Sequence, residues 1–177
     1  MTDTYDLSTD VVDRIAGLAA GSTTYATRHK RAKVAAATQR SYDVLFDPAL
    51  PDLSLTDRLC VALYACALSK APALAAHYAQ RLASIGLDGT VIDAIAQGSL
   101  DEIELRQPRL RAMLNFTRTL IEAPIAGDKA ALERLSNAGI ATPAVVALAQ
   151  LIAFLSYQIR LTAGLHALQA LNETEAA

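Results

Sequence analysis

Apolar positions along this chain recur with a period of 3.6 residues. Leu110, Met113, Leu114, Thr117, Leu120 and Ile121 show the spacing most clearly. No segment alternates apolar and polar residues with period 2, so the pattern predicts an all-α chain. Breakers and caps divide it into eight helices. Ser8 caps a short helix over residues 9–19, with Val11, Val12, Ile15 and Leu18 on one face and Asp10 and Asp13 in its first turns. A second helix runs over 25–46. Ser54, with Asp57 three residues on, opens a third that reaches Leu68 and is almost wholly apolar after Arg58. Pro72 opens a fourth, closed by Gly86. Thr90 opens a short fifth that ends at Gly98, and Pro108 opens a sixth, through Ile121. A seventh covers 128–138, and Thr142 with Pro143 opens the last and longest, through Leu171. That helix is apolar on most of its surface, which suits a core helix or an oligomer interface.

Composition fits this picture. The chain has 177 residues, 53% hydrophobic and 19% charged, which suits one globular domain over 1–177. A net charge of −2 leaves no single-sign field for nucleic acid or an acidic membrane. The basic run from Arg28 to Lys33 reads as a solvated helix face, and His29 within it as exposed. The polar, acidic first ten residues do not form a signal peptide. The apolar stretch 141–157 is too short and too interrupted to span a bilayer comfortably. A cytoplasmic protein with reduced cysteines is expected.

Little in the sequence has the spacing of a chemical motif. No group of His, Cys, Asp or Glu has metal-ligand spacing, so no metal and no cofactor is expected. Residues 20–23 lack the lysine and preceding strand of a phosphate loop. Cys60 and Cys66 are six residues apart on one helix, about 9 Å along the axis, too far for a disulfide without unwinding it. They read as small core residues. The functional alternative places Cys66 against His77 as a single-thiol site, although the end of a helix would raise that thiol's pKa. His77 sits on an apolar helix, where an imidazole is either a satisfied core group or a general acid or base. His166 reads as packing or interface.

The order of these elements resembles the carboxymuconolactone decarboxylase and alkyl hydroperoxidase D-like (AhpD-like) superfamily. The resemblance rests on the apolar helix, short break and histidine-bearing helix of 54–78, and on the turn and short helix of 85–95. Further on, 108–110, 116–120, 135–140 and 154–165 are similar to its peroxidase-related subgroup. It covers roughly Lys30 to Leu165 and implies an AhpD-like bundle of about seven to eight helices. Peroxidase members carry Cys-x-x-Cys-x-x-x-His with a glutamate some three turns earlier. Counted back from His77, the two cysteine positions hold Ala73 and Lys70, and the glutamate position holds Arg58. Only His77 carries over, so disulfide cycling is not expected.

The resemblance then implies a small-molecule site around His77, with Cys66 as a second catalytic candidate. Tyr64, Lys70, Tyr157 and Arg160 are candidates for holding substrate; Arg81 is a further cation beside an apolar segment. Two alternatives stand beside this reading. One is a cofactor-free decarboxylase-type enzyme acting on a small organic acid or lactone. The other is a non-catalytic subunit of an active relative. The superfamily's habit of assembling also implies a homo-oligomer.

Overall fold

A computed structural model describes residues 10–100 and 107–175. Among the described residues there are nine α-helices, one short 3-10 turn and no strand. The helices are α1 (Val11–Ala16), α2 (Thr23–His29), α3 (Ala32–Leu45), α4 (Leu55–Leu68) and α5 (Pro72–Ser84). They continue with α6 (Gly89–Gln97), α7 (Pro108–Glu122), α8 (Lys129–Asn137) and α9 (Thr142–Glu175); the 3-10 turn is Pro124–Ala126. The expected all-α class holds. The chain divides into two compact units. One contains the residues up to Leu45 together with those from Gln158 onward; the other is Phe46–Tyr157.

The larger unit is built around α4. Nine consecutive residues, Arg58 to Cys66, are buried, so this helix is covered on every side. α5, α6 and α7 pack against it, and α8 packs against α7. Each fully buried leucine or valine there, such as Leu59, Val61 and Leu63, contributes about 1.5–3 kcal/mol. The helix starts as its sequence requires: the Ser54 side chain accepts a hydrogen bond from the Asp57 amide at 3.0 Å. Asp88 and Asp128 cap α6 and α8 in the same manner.

The smaller unit departs from the expected boundaries in two places. α1 stops at Ala16, because Gly17 takes a left-handed conformation (φ 68°) and the Leu18 amide donates back to the Asp13 carbonyl at 2.9 Å. Its cap is Asp10, whose side chain accepts from the Asp13 amide; Ser8 lies outside the described residues. The helix expected over 25–46 is two helices. The backbone at Lys30 stays right-handed (φ −57°, ψ −24°), so the hydrogen-bond ladder is interrupted without a reversal of the chain.

That interruption coincides with a buried ionic cluster. Arg28 donates to Asp13 at 2.6 Å and to Asp10 at 3.0 Å, and His29 Nε2 lies 2.7 Å from the second Asp13 oxygen. His29 is therefore not a solvated member of a basic face; its side chain is 10% exposed. Burial pushes the Asp13 carboxyl above its ordinary value. The His29 hydrogen bond opposes that push, the Asp10 charge adds to it, and Arg28 opposes it. Gln39 accepts from the Val11 amide at 2.8 Å and ties α1 to α3. Asn172 donates to Thr24 at 2.9 Å and ties the end of α9 to α2.

α9 is one unbroken helix of 34 residues. Residues 142–172 form a helix long and apolar enough to cross a membrane, its most apolar 18-residue window reaching a mean hydropathy of 1.6, and so extend well past the apolar stretch read from sequence. One side of the helix is protein core: Leu148, Leu151 and Leu155 are fully buried, and Ile159 is buried as well.

Candidate functional site

The α4–α5 junction carries most of the residues that the sequence singled out. α4 ends at Leu68 with Ser69 as its cap, and the Ala71 amide donates to the Cys66 carbonyl at 2.9 Å. Lys70 makes the turn in a left-handed conformation (φ 54°), a conformation costly for a residue with a Cβ. Pro72 then starts α5, where its missing amide proton is no loss. Lys70 and Ala73, which occupy the two cysteine positions of the resemblance, are both exposed on this turn. His77 faces inward with Leu74, Tyr78 and Leu82 and is 8% exposed. Its ring meets Tyr78 edge-on at 5.0 Å.

The two cysteines are core residues. Both are fully buried, and burial pushes both thiols up to about 12. At Cys60 the Asp57 charge adds to the effect. A thiol in that state is neither a nucleophile nor a redox partner at neutral pH.

Arg58, which the resemblance sets against a glutamate, is among the largest fully buried side chains of the described residues and is 1% exposed. Its Nε donates to the Leu53 carbonyl at 3.1 Å and to the Ser54 carbonyl at 3.3 Å, and its Nη2 donates to the Asp47 carbonyl at 2.9 Å. It therefore holds the 47–54 loop onto the start of α4. Burial lowers its pKa; Asp47 works against that and Arg81 adds to it. Arg81 lies over the Phe46 ring at 5.1 Å, and Phe46 meets Tyr78 at 5.3 Å. The Arg58 guanidinium is thus engaged with backbone carbonyls.

The remaining candidates are placed as follows. Tyr64 is fully buried on α4, with the Arg118 guanidinium 5.5 Å from its ring centre. Burial pushes the Tyr64 hydroxyl up and the Arg118 cation pulls it back. Tyr157 is 43% exposed on α9; Arg160 and His166 are exposed there too. Among the described residues, no cluster of three or more His, Cys, Asp or Glu could hold a metal ion.

An open groove of about 450 Å³ lies between α7 and α8. Pro108, Ala112, Phe116 and Ala131 supply apolar lining, while Arg111, Asn115 and Arg134 supply polar groups. None of the candidate catalytic or substrate-holding residues named from the sequence lines it. Its two arginines come from different helices, so no single stretch of sequence carries the signal. The i, i+4 spacing of Arg111 and Asn115 on α7 is the nearest local trace.

No protein-family model matches the chain, and no curated protein does. A solved structure does resemble it: an uncharacterized peroxidase-related protein from Silicibacter sp. TM1040, with a TM-score of 0.68. The two are 16% identical in sequence, and the match covers 76% of this chain and 69% of that one. The fold is shared with a peroxidase-related protein. At that identity the likeness speaks for the fold alone.

Proposed function

We propose that this chain is a non-thiol protein of AhpD-like fold that binds a small organic acid in the α7–α8 groove. The observation that carries the reading is the groove itself: a volume of about 450 Å³ lined by apolar Pro108, Ala112, Phe116 and Ala131 together with Arg111, Arg134 and Asn115. Its size falls in the range of small-molecule sites. Guanidinium groups from two helices suit a carboxylate, which they bind through paired hydrogen bonds. The buried thiols argue in the same direction, since they leave peroxide reduction without a nucleophile. A decarboxylase-type reaction at His77 would require a ligand to reach a side chain that is 8% exposed. The groove requires no such opening.

Two measurements test the proposal. tert-Butyl hydroperoxide consumption with dithiothreitol is expected to stay at background for the wild type, His77→Ala and Cys66→Ala alike. Turnover that vanishes in Cys66→Ala would overturn the non-thiol reading. Calorimetric titration with benzoate and with succinate is expected to show binding of at least one, weakened about tenfold or more in Arg134→Ala. Failure of both acids to bind at millimolar concentration would overturn the groove reading and leave the non-catalytic subunit as the better account.

A further inference from the structure

The α7–α8 groove has two unlike halves. Pro108, Ala112 and Phe116 recur every four residues along α7 and form one row of its surface; Arg111 and Asn115 form the row beside it. Six residues separate α7 from α8, a connection short enough to turn the second helix back along the first. The step along α8 from Ala131 to Arg134 is therefore a step along α7 from Phe116 towards Arg111. Both arginines fall in one half of the groove and Phe116 with Ala131 in the other, about 7–8 Å apart along α7 at 1.5 Å per residue.

Burial follows the same division. Phe116 and Ala131 are buried, whereas Arg134 is exposed and Arg111 half-buried. Ala112 lies between the two halves and is half-buried too. With only methyl groups at Ala112 and Ala131, the two helices do not fill the space between them.

No lining residue is acidic, so the charge of the groove has one sign and sits at one end. Asn115 is exposed and uncharged, and offers no counter-ion to an anion. An acid with a second carboxylate would set it against Phe116 and Ala131, where it loses water and meets no cation. An apolar tail in the same place gains by leaving water. Resting on the acid-binding role proposed above, we infer that the groove takes an amphiphilic monocarboxylate. Its one carboxylate is held by Arg134 and Arg111, and its tail lies over Ala112 onto Phe116 and Ala131. A tail of that reach belongs to an acid of about six to eight carbons, since each bond of a zigzag chain advances it by a little under about 1.5 Å. Each methylene that leaves water adds about two- to fourfold to affinity, the lower figure applying where an open groove covers one side of the chain.

Chemical-shift titration of the full chain with acetate, hexanoate, octanoate, decanoate, adipate and hexan-1-ol tests this. Hexanoate should bind about tenfold or more tightly than acetate, and than adipate, which has the same six carbons with a charge at each end. The gain should stop between octanoate and decanoate. Hexan-1-ol, which lacks the charge, should bind about tenfold or more weakly than hexanoate. Ala112→Leu fills the groove from a half-buried position and should abolish hexanoate binding while the melting temperature holds. Adipate bound as tightly as hexanoate, or no rise from acetate to hexanoate, would overturn the one-ended class and leave the acid-binding groove standing. Affinity still rising through decanoate would overturn the tail length, and hexanoate binding unchanged in Ala112→Leu would overturn its placement. Failure of every acid, benzoate and succinate included, would overturn the acid-binding groove itself and this inference with it.

Discussion

Replacing Arg58 by methionine removes a charged donor and leaves the aliphatic bulk of the side chain in place. The guanidinium makes two well-formed bonds, to the carbonyls of Asp47 and Leu53, and a longer one to Ser54. A hydrogen bond from a charged donor contributes about 1.5–3 kcal/mol, and a buried carbonyl left without its partner costs about 1–3 kcal/mol. Relief of the repulsion between Arg58 and Arg81 offsets part of the loss. The expected destabilisation is therefore about 3–5 kcal/mol, a large share of the 5–15 kcal/mol typical of a folded domain. For a chain of this size that lowers the melting temperature by roughly 6–20 °C. Arg58→Lys keeps the charge but cannot reach carbonyls on both sides, and should lose about half as much. Urea unfolding monitored by circular dichroism, at fixed pH and protein concentration, measures both variants. An Arg58→Met protein within about 0.5 kcal/mol of wild type would refute the reasoning, because a surface arginine would do the same.

Other expectations follow from single residues. With thiols at about 12, roughly one in 10⁴ is ionised at pH 8, against about a quarter of an unperturbed thiol, so Ellman's reagent should count two thiols only after denaturation. Rapid labelling of the native protein would show that Cys60 or Cys66 is reachable. Asp13 is raised above its ordinary 3.8, so the folded chain holds that proton more tightly than the unfolded chain does. Its contribution to stability must then fall as pH rises from about 3.8 through the folded value. Denaturant melts of wild type and Asp13→Asn between about pH 3.5 and 7 should show the wild type losing ground as pH rises; the opposite slope would refute the assignment. Lys70→Gly releases a left-handed backbone on an exposed turn and should stabilise the protein by about 1 kcal/mol in thermal melts; an unchanged or lower melting temperature would mean that the lysine side chain contributes more than its backbone costs.

Much of the fold was legible wherever proline, glycine or a capping side chain marks an edge. Ser54, Pro72, Gly98 and Pro108 stand at helix boundaries because each does something there that few residues can: accept from a free amide, dispense with an amide proton, or turn left-handed. The break between α2 and α3 has no such marker. It lies in a basic run whose partners, Asp10 and Asp13, are 15 or more residues earlier, and pairing at that distance leaves no periodic trace. The burial of His29 leaves no trace in the sequence for the same reason. The sequence pointed to a site on a helix that carries His77, and it did lead to the burial of Cys60 and Cys66. The α7–α8 groove is assembled from residues of two helices and could not be read from either alone.

The two buried cysteines also change how this protein can be handled. Neither can reach an oxidant while the chain is folded, and their places on one rigid helix keep them from joining each other. Any covalent aggregate on a non-reducing gel must therefore have formed from chains that had already opened. Stored without reductant, a preparation carries a record of its own unfolding, and the intensity of the dimer and higher bands measures how much of it failed.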